Sequence, residues 1–266
     1  MSTTIHPHIP HISHIPDIPD IPDIPHIPDI PNDPHQNHLL AALPADELKR
    51  LLPHLRLVSM PLGKILCGSG CKSNHVYFPT TLIVSLLSIT QCGRSVEIAR
   101  VGSEGIVGVA LFMGGDSMPQ LSVVQSAGYA YRLKGQLLIQ EFNQVAPVAH
   151  LLLRYTQALL TQIGQTAVCN RYHSVEQQLC RWLLLTLDRL SSNELTMTHE
   201  LIANMLGVRR EGVTEAASKL QRAGLIHYHR GHITVLDRPR LETRVCECYK
   251  VVKKEYDRLL PDISTM

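Results

Sequence analysis

Residues 196–222 read TMTHELIANMLGVRREGVTEAASKLQR, and this stretch decides the organisation of the chain. Its first part is a short helix ending at Gly207, a residue that readily takes the left-handed conformation a helix stop requires. A second helix is predicted from Arg209 to Arg222, with Val213, Ala217 and Leu220 as its buried face. Two short helices about a glycine-bearing turn, the second with a basic edge, form a helix-turn-helix pattern. Residues 223–236, AGLIHYHRGHITVL, then read as a β-hairpin turning near Gly231. That hairpin is a wing, and His227, His229, Arg230 and His232 give it chemistry suited to phosphates. Upstream, residues 174–190 (SVEQQLCRWLLLTLDRL) read as an amphipathic helix capped by Ser174, with the single tryptophan, Trp182, available for a core.

The second helix carries the recognition chemistry. Arg210, Glu211, Thr214, Glu215, Ser218 and Arg222 occupy the face away from Val213, Ala217 and Leu220. An arginine can pair bidentately with guanine, and a glutamate can accept from cytosine N4. Thr214 and Ser218 can donate to phosphate or base edges, and Lys219 suits the phosphate backbone. Thr198, Arg209 and Arg230 complete the candidate DNA contacts. Residues 209–254 hold 11 Lys and Arg against 5 Asp and Glu, a local excess in keeping with a polyanionic partner.

Working outward, helical periodicity begins near residue 136. Val145, Val148, Leu152, Tyr155 and Leu159 alternate steps of three and four, and Leu151, Leu153, Leu160 and Ile163 flank them. A helix apolar on several sides must bury one side on its own domain and another elsewhere. Pairing in a homodimer explains this economically; the core of one large domain is the alternative. From about 57 to 135 the texture is of short strands punctuated by glycine, at 76–78, 82–89, 96–101, 121–125 and 129–133, which suggests a sandwich or barrel. Before it, residues 39–56 begin with a short amphipathic helix, Pro44 in its first turn and Leu48, Leu51 and Leu52 as its stripe. Residues 241–260 read as an added helix of no assigned role.

The formal net charge of +2 over 266 residues is a sum of unlike parts. Residues 1–38 hold 9 of the 17 prolines, 7 of the 15 histidines, five aspartates and no lysine or arginine. From Ile9 to Pro34 the chain repeats isoleucine, proline, then His or Asp, with Ser13 replacing one proline, which forbids an α-helix and fits polyproline II. A solvated tail is the plain reading. Metal capture by His6, His8, His11 and His14, or docking of a proline-binding partner, is the sharper one.

Enzyme signatures are missing: there is no H-E-x-x-H, G-x-S-x-G or G-x-x-x-x-G-K-[ST]. Gly102, Gly105 and Gly108 are spaced for tight turns rather than a phosphate cradle. The seven cysteines, an odd number without a secretory leader, argue for reduced thiols in the cytoplasm. No C-x-x-C pair occurs, and Cys67 with Cys71 supplies only two ligands. Cys246 and Cys248, two apart on an expected helix, should point in different directions. We therefore expect structural cysteines, no metal site and no cofactor. No run of 18 uncharged apolar residues appears, so no membrane span is expected.

The order of β-rich domain, long helix and winged helix-turn-helix resembles the Crp–Fnr superfamily of bacterial transcription regulators, most closely at residues 201–214. The resemblance implies an α+β fold: an N-terminal β jelly-roll-like, cyclic-nucleotide-binding-like sensor domain (39–143), a long dimerisation helix (144–171) and a C-terminal winged helix-turn-helix domain (172–240). A tail (1–38) and a helical extension (241–266) flank these. It also implies a homodimer with recognition helices in successive major grooves of double-stranded DNA, and makes RNA polymerase a further candidate partner. The superfamily's Arg-Glu pair that reads base edges maps onto Arg210 and Glu211. A later reader, often arginine, corresponds to Glu215, a charge reversal that shifts the expected target. In cyclic-nucleotide binders a Gly-Glu pair holds the ribose and an Arg-Ser/Thr pair the phosphate. Here Gly108 is followed by Val109, and residues 118–122 (MPQLS) offer no arginine. A buried phosphate would lack its charged partner, so cAMP or cGMP is not the expected signal. The reading is a sequence-specific DNA-binding regulator without enzymatic activity. The alternative is a ligand- or metal-responsive sensor acting mainly through protein contacts.

Overall fold

The computed structural model describes residues 33–190 and 192–260. The Ile-Pro repeat through residue 32, with both readings given to it, lies outside the described residues. The described body begins earlier than the expected boundary at residue 39. Asn37 is fully buried and caps α1 (His38–Ala41), accepting from the Leu39 and Leu40 amides at 3.1 and 3.2 Å. Its amide nitrogen donates to the Pro79 and Gly105 carbonyls at 2.8 and 2.9 Å, so both ends of this side chain are satisfied by the body. α2 (Ala45–Leu51) follows, with Pro44 as N-cap and Leu48 and Leu51 buried.

Seven antiparallel strands then form two sheets: β1 (Arg56–Met60), β2 (Ile65–Cys67), β3 (His75–Pro79), β4 (Ile83–Ile89), β5 (Ser95–Val101), β6 (Leu121–Ser126) and β7 (Gly128–Lys134). One sheet has the order β1-β7-β3 and the other β2-β6-β4-β5. Val76, Phe78, Val84, Leu86, Val101, Val124 and Leu133 from the two sheets share a common core. The five strands read from the sequence are present, and β1 and β2 precede them. The glycines between β5 and β6 serve close packing as well as turns. A Cβ on Gly105 would lie 2.5 Å from the Tyr155 ring, and one on Gly102 would lie 2.8 Å from Arg189.

The helical texture beginning near 136 resolves into two helices, α3 (Gly135–Gln144) and α4 (Ala146–Tyr172). The break falls at Val145, which is extended (φ −123°). Pro147 explains it: without an N–H it fits only the first turn of a new helix. α4 buries Val148, Leu152, Tyr155 and Leu159, the stripe read from the sequence, and leaves Leu153 and Leu160 49% and 60% exposed.

α5 (Val175–Leu187) begins with a capping box, Ser174 with Gln177, and places Trp182 in the core at 1% exposure. Then come β8 (Glu194–Thr196), α6 (His199–Leu206), α7 (Arg210–Arg222), β9 (Ile226–His229) and β10 (His232–Val235). The strands make one antiparallel sheet in the order β8-β10-β9.

The C-terminal extension holds two helices rather than one, α8 (Arg238–Arg244) and α9 (Glu247–Leu259), and the expected boundary at 240 falls inside α8. The interruption changes the reading of the cysteines there. Cys246 is the extended N-cap of α9 (φ −71°, ψ 165°) rather than a helical residue, and it and Cys248 are both buried. The helical 100° separation does not apply across a cap, so the two side chains do not diverge. The fold is α+β, with an N-terminal β domain, a long helix and a C-terminal helix-turn-helix region.

A buried polar junction fastens the C-terminal domain to the sheet. Arg100 on β5, 2% exposed, pairs with Glu97 and donates to the Trp182 carbonyl at 2.8 Å and to Thr186 Oγ1 on α5. Its guanidinium lies 4.9 Å from the Trp182 ring centroid. Burial pushes the Arg100 guanidinium down to about 10 against the opposing pull of Glu97, leaving it cationic at neutral pH. Glu97 is held in turn by Ser85, which also meets Gln125 at 2.9 Å. Arg189 and Glu104 form a second bridge at 2.7 Å, and Gln162 of α4 donates to the Tyr256 hydroxyl of α9 at 2.9 Å.

Candidate nucleic-acid interface

The interface is built from α6 upward. Thr198 caps that helix, its hydroxyl accepting from the Leu201 amide at 3.2 Å. Gly207 ends it at φ 67°. A Cβ at Gly207 would lie 3.1 Å from Val96 Cγ2 on β5, so both conformation and close approach call for glycine. Val208 and Arg209 lead directly into α7. Val213, Ala216, Ala217 and Leu220 pin α7 to the domain core.

All ten residues singled out as DNA contacts lie on the surface: Thr198, Arg209, Arg210, Glu211, Thr214, Glu215, Ser218, Lys219, Arg222 and Arg230. They differ in how far the protein already engages them. Thr214 and Ser218 bond back to the carbonyls four residues earlier, at 3.1 and 2.8 Å. Glu215 pairs with Lys219 at 2.8 Å, which holds its carboxyl below the usual range and raises the ammonium. Among the described residues, no hydrogen-bond or ion-pair partner meets the side chains of Arg209, Arg210, Glu211 or Arg230.

The wing turns through Arg230 and Gly231, both at positive φ (46° and 83°), between β9 and β10. Two left-handed residues in a two-residue loop match the twist of a tight hairpin. Arg230 thus sits at the tip.

One residue escaped the sequence reading. His199 stacks on Tyr228 of the wing, with centroids 4.0 Å apart, and its Nδ1 meets Thr214 Oγ1 at 3.0 Å. It therefore ties α6, α7 and the wing together. Burial, reinforced by the Arg210 charge, lowers its pKa. Tyr228 lies 29 positions along the chain, and no local spacing signals the contact.

In the β domain, Val109 is 5% exposed and lines a cavity of about 30 Å³ with Cys67, Tyr77, Leu86 and Met118. Small-molecule pockets are ordinarily about 300–1,000 Å³. No arginine lines this cavity.

A jelly-roll-like β domain joined through a long helix to a winged helix-turn-helix is the architecture of a CRP/FNR-type transcription regulator. The comparisons agree: residues 177–244 match the family model described as a Crp-like helix-turn-helix domain. The chain is similar in structure to a putative transcriptional regulator of the CRP/FNR family from Eubacterium rectale, with TM-score 0.62 and 21% identity over 79% of this chain and 98% of that one. FixK2 from Bradyrhizobium japonicum gives TM-score 0.62 and 19% identity, over 72% and 98%. The c-di-GMP-responsive global regulator CLP from Xanthomonas campestris gives 0.56 and 20%, over 73% and 100%. No curated protein matches the sequence. The chain has the fold of the CRP/FNR regulators, and its residues 177–244 form a Crp-like helix-turn-helix domain. Among the described residues no helix is long and apolar enough to cross a membrane.

Proposed function

We propose that this chain is a homodimeric, sequence-specific transcription regulator that places α7 of each protomer in the major groove of a roughly palindromic site. The carrying observation is the division of α7, with four buried apolar residues on one face and, on the other, Arg210 and Glu211 exposed and without partners among the described residues. In this reading Arg210 and Glu211 contact base edges. Thr214, Glu215 and Ser218 extend the readout, and Thr198, Arg209, Lys219, Arg222 and Arg230 engage the backbone. Leu153, Leu160 and Val168, exposed along α4 at steps of seven and eight, supply the pairing face. Seven-residue steps return to one side of a helix, as a two-helix seam requires. RNA polymerase is a further partner of this reading. The signal is not cAMP or cGMP: Val109 replaces the expected carboxylate, and the cavity beside it lacks both volume and cation.

Selection of binding sites from random duplexes by the purified chain at physiological salt tests the proposal. The expected product is an inverted repeat with half-sites about 10 base pairs apart, centre to centre. Enrichment of no motif overturns the DNA reading, and a monomer by sedimentation overturns the dimer. A titration in which cAMP binds at micromolar concentration and strengthens DNA binding overturns the assignment of the signal.

A further inference from the structure

Cys169 and His173 lie four residues apart at the end of α4, on one side of its last turn, while Cys246 and Cys248 flank the start of α9. The two pairs are more than seventy residues apart in sequence, and the fold brings them together. Their four potential ligand atoms all lie within 4.8 Å of one another. The Sγ atoms of Cys169 and Cys246 are 3.6 Å apart, and Cys248 Sγ is 3.6 Å from His173 Nδ1. Tetrahedral zinc with its ordinary bond lengths sets such edges at about 3.8 Å between sulfurs and about 3.6 Å between sulfur and nitrogen. A polynuclear iron–sulfur cluster would hold its thiolates farther apart.

The surroundings fit a metal as well as the ligands do. His173 Nε2 lies 3.3 Å from Glu247 Oε1, so the nitrogen turned away from the thiols faces a carboxylate. Metal-ligating histidines characteristically donate their second N–H in this way, which fixes the tautomer. Three thiolates, a neutral imidazole and a divalent cation leave one net negative charge. Arg181 is buried and donates to Thr166 Oγ1 at 3.1 Å, and among the described residues its Nε has no hydrogen-bond partner. Cys180, equally buried, lies outside this group of four and packs in the apolar core.

We propose that Cys169, His173, Cys246 and Cys248 form a structural Cys3His zinc site that pins the start of α9 to the end of α4. The site would make the C-terminal extension an integral brace, fixing the helix-turn-helix domain against the long helix.

The test is the metal content of the full chain, purified without chelator or an immobilised-metal column. About one zinc per chain is expected, with at least a tenfold loss in Cys169→Ser/Cys248→Ser and full retention in Cys92→Ser, whose cysteine is exposed and remote from the site. Metal held by the N-terminal histidines, or misfolding of the double variant, would confound that count, so the wild-type chain is also stripped and titrated with Co²⁺. Tetrahedral visible bands with thiolate-to-cobalt charge transfer, saturating at one equivalent, support the site. Imidazole binding by the tail gives no such charge transfer. Cobalt uptake without that band overturns the proposal. So does native protein with a Cys169–Cys246 disulfide, or with iron–sulfur absorbance in place of zinc.

Discussion

Arg100 and Arg210 mark two regions that treat charge in opposite ways. At the junction between the β domain and α5, Arg100 is buried and met by a carboxylate, a carbonyl, a hydroxyl and an indole face. On α7, Arg210 stands in solvent beside Glu211, and among the described residues no hydrogen-bond partner meets either side chain. The first arrangement spends its charge on architecture, because a buried ion is tolerable only when fully paired. The second leaves its charge for a partner outside the chain. Substitutions should therefore separate the two regions by which property they damage.

The largest effect belongs to the junction. Arg100→Met strands Glu97 in the core and should cost about 3–5 kcal/mol of folding stability by urea denaturation. Adding Glu97→Gln should restore part of that loss; a double variant no better than the single one would show that the pair is not the source. On α7 the ranking reverses. Arg210→Ala should leave stability within about 0.5 kcal/mol. It should weaken specific DNA binding by about 1–3 kcal/mol and relax base choice at one position. Lys219→Ala should weaken all duplexes alike and lower the slope of log affinity against log salt by about one.

The smallest effect lies where the regions meet in kind, at the half-buried His199. Its folded-state pKa lies below the ordinary value of about 6.5. The folded protein therefore binds fewer protons there than the unfolded chain, and stability is full above that pH. It declines as pH falls through the folded-state pKa. Urea melts of wild type and His199→Gln between about pH 5 and 8 should differ in slope only on the acid side. Parallel curves would remove His199 as the cause.

The helix-turn-helix was legible because its signals are local: a glycine stop, a periodic apolar face and a two-residue wing turn. Strands β3 to β7 were legible for the same reason, as apolar runs bounded by turns. Features fixed by distant partners were not. Nothing near Asn37 announces carbonyls 42 and 68 residues away, and nothing near Arg100 announces Thr186. The meeting of Cys246 and Cys248 is hidden in the sequence because residues 241–260 read as one helix, whereas Val245 and Cys246 interrupt it. The exposure of the candidate DNA contacts follows from the apolar period of α7, but nothing local separates Arg210 from Lys219, which already holds Glu215.

The seat of Gly207 against Val96 has a consequence in mechanical terms. α7 has 13 residues and is therefore a lever about 20 Å long, with its near end three residues beyond that contact. A ten-degree swing about that fulcrum would carry the far end about 3.4 Å, the rise of one base pair. The close seat of Gly207 on Val96 is thus one of the contacts, beside the Arg100 and Arg189 junction, that set the angle at which α7 leaves the β domain.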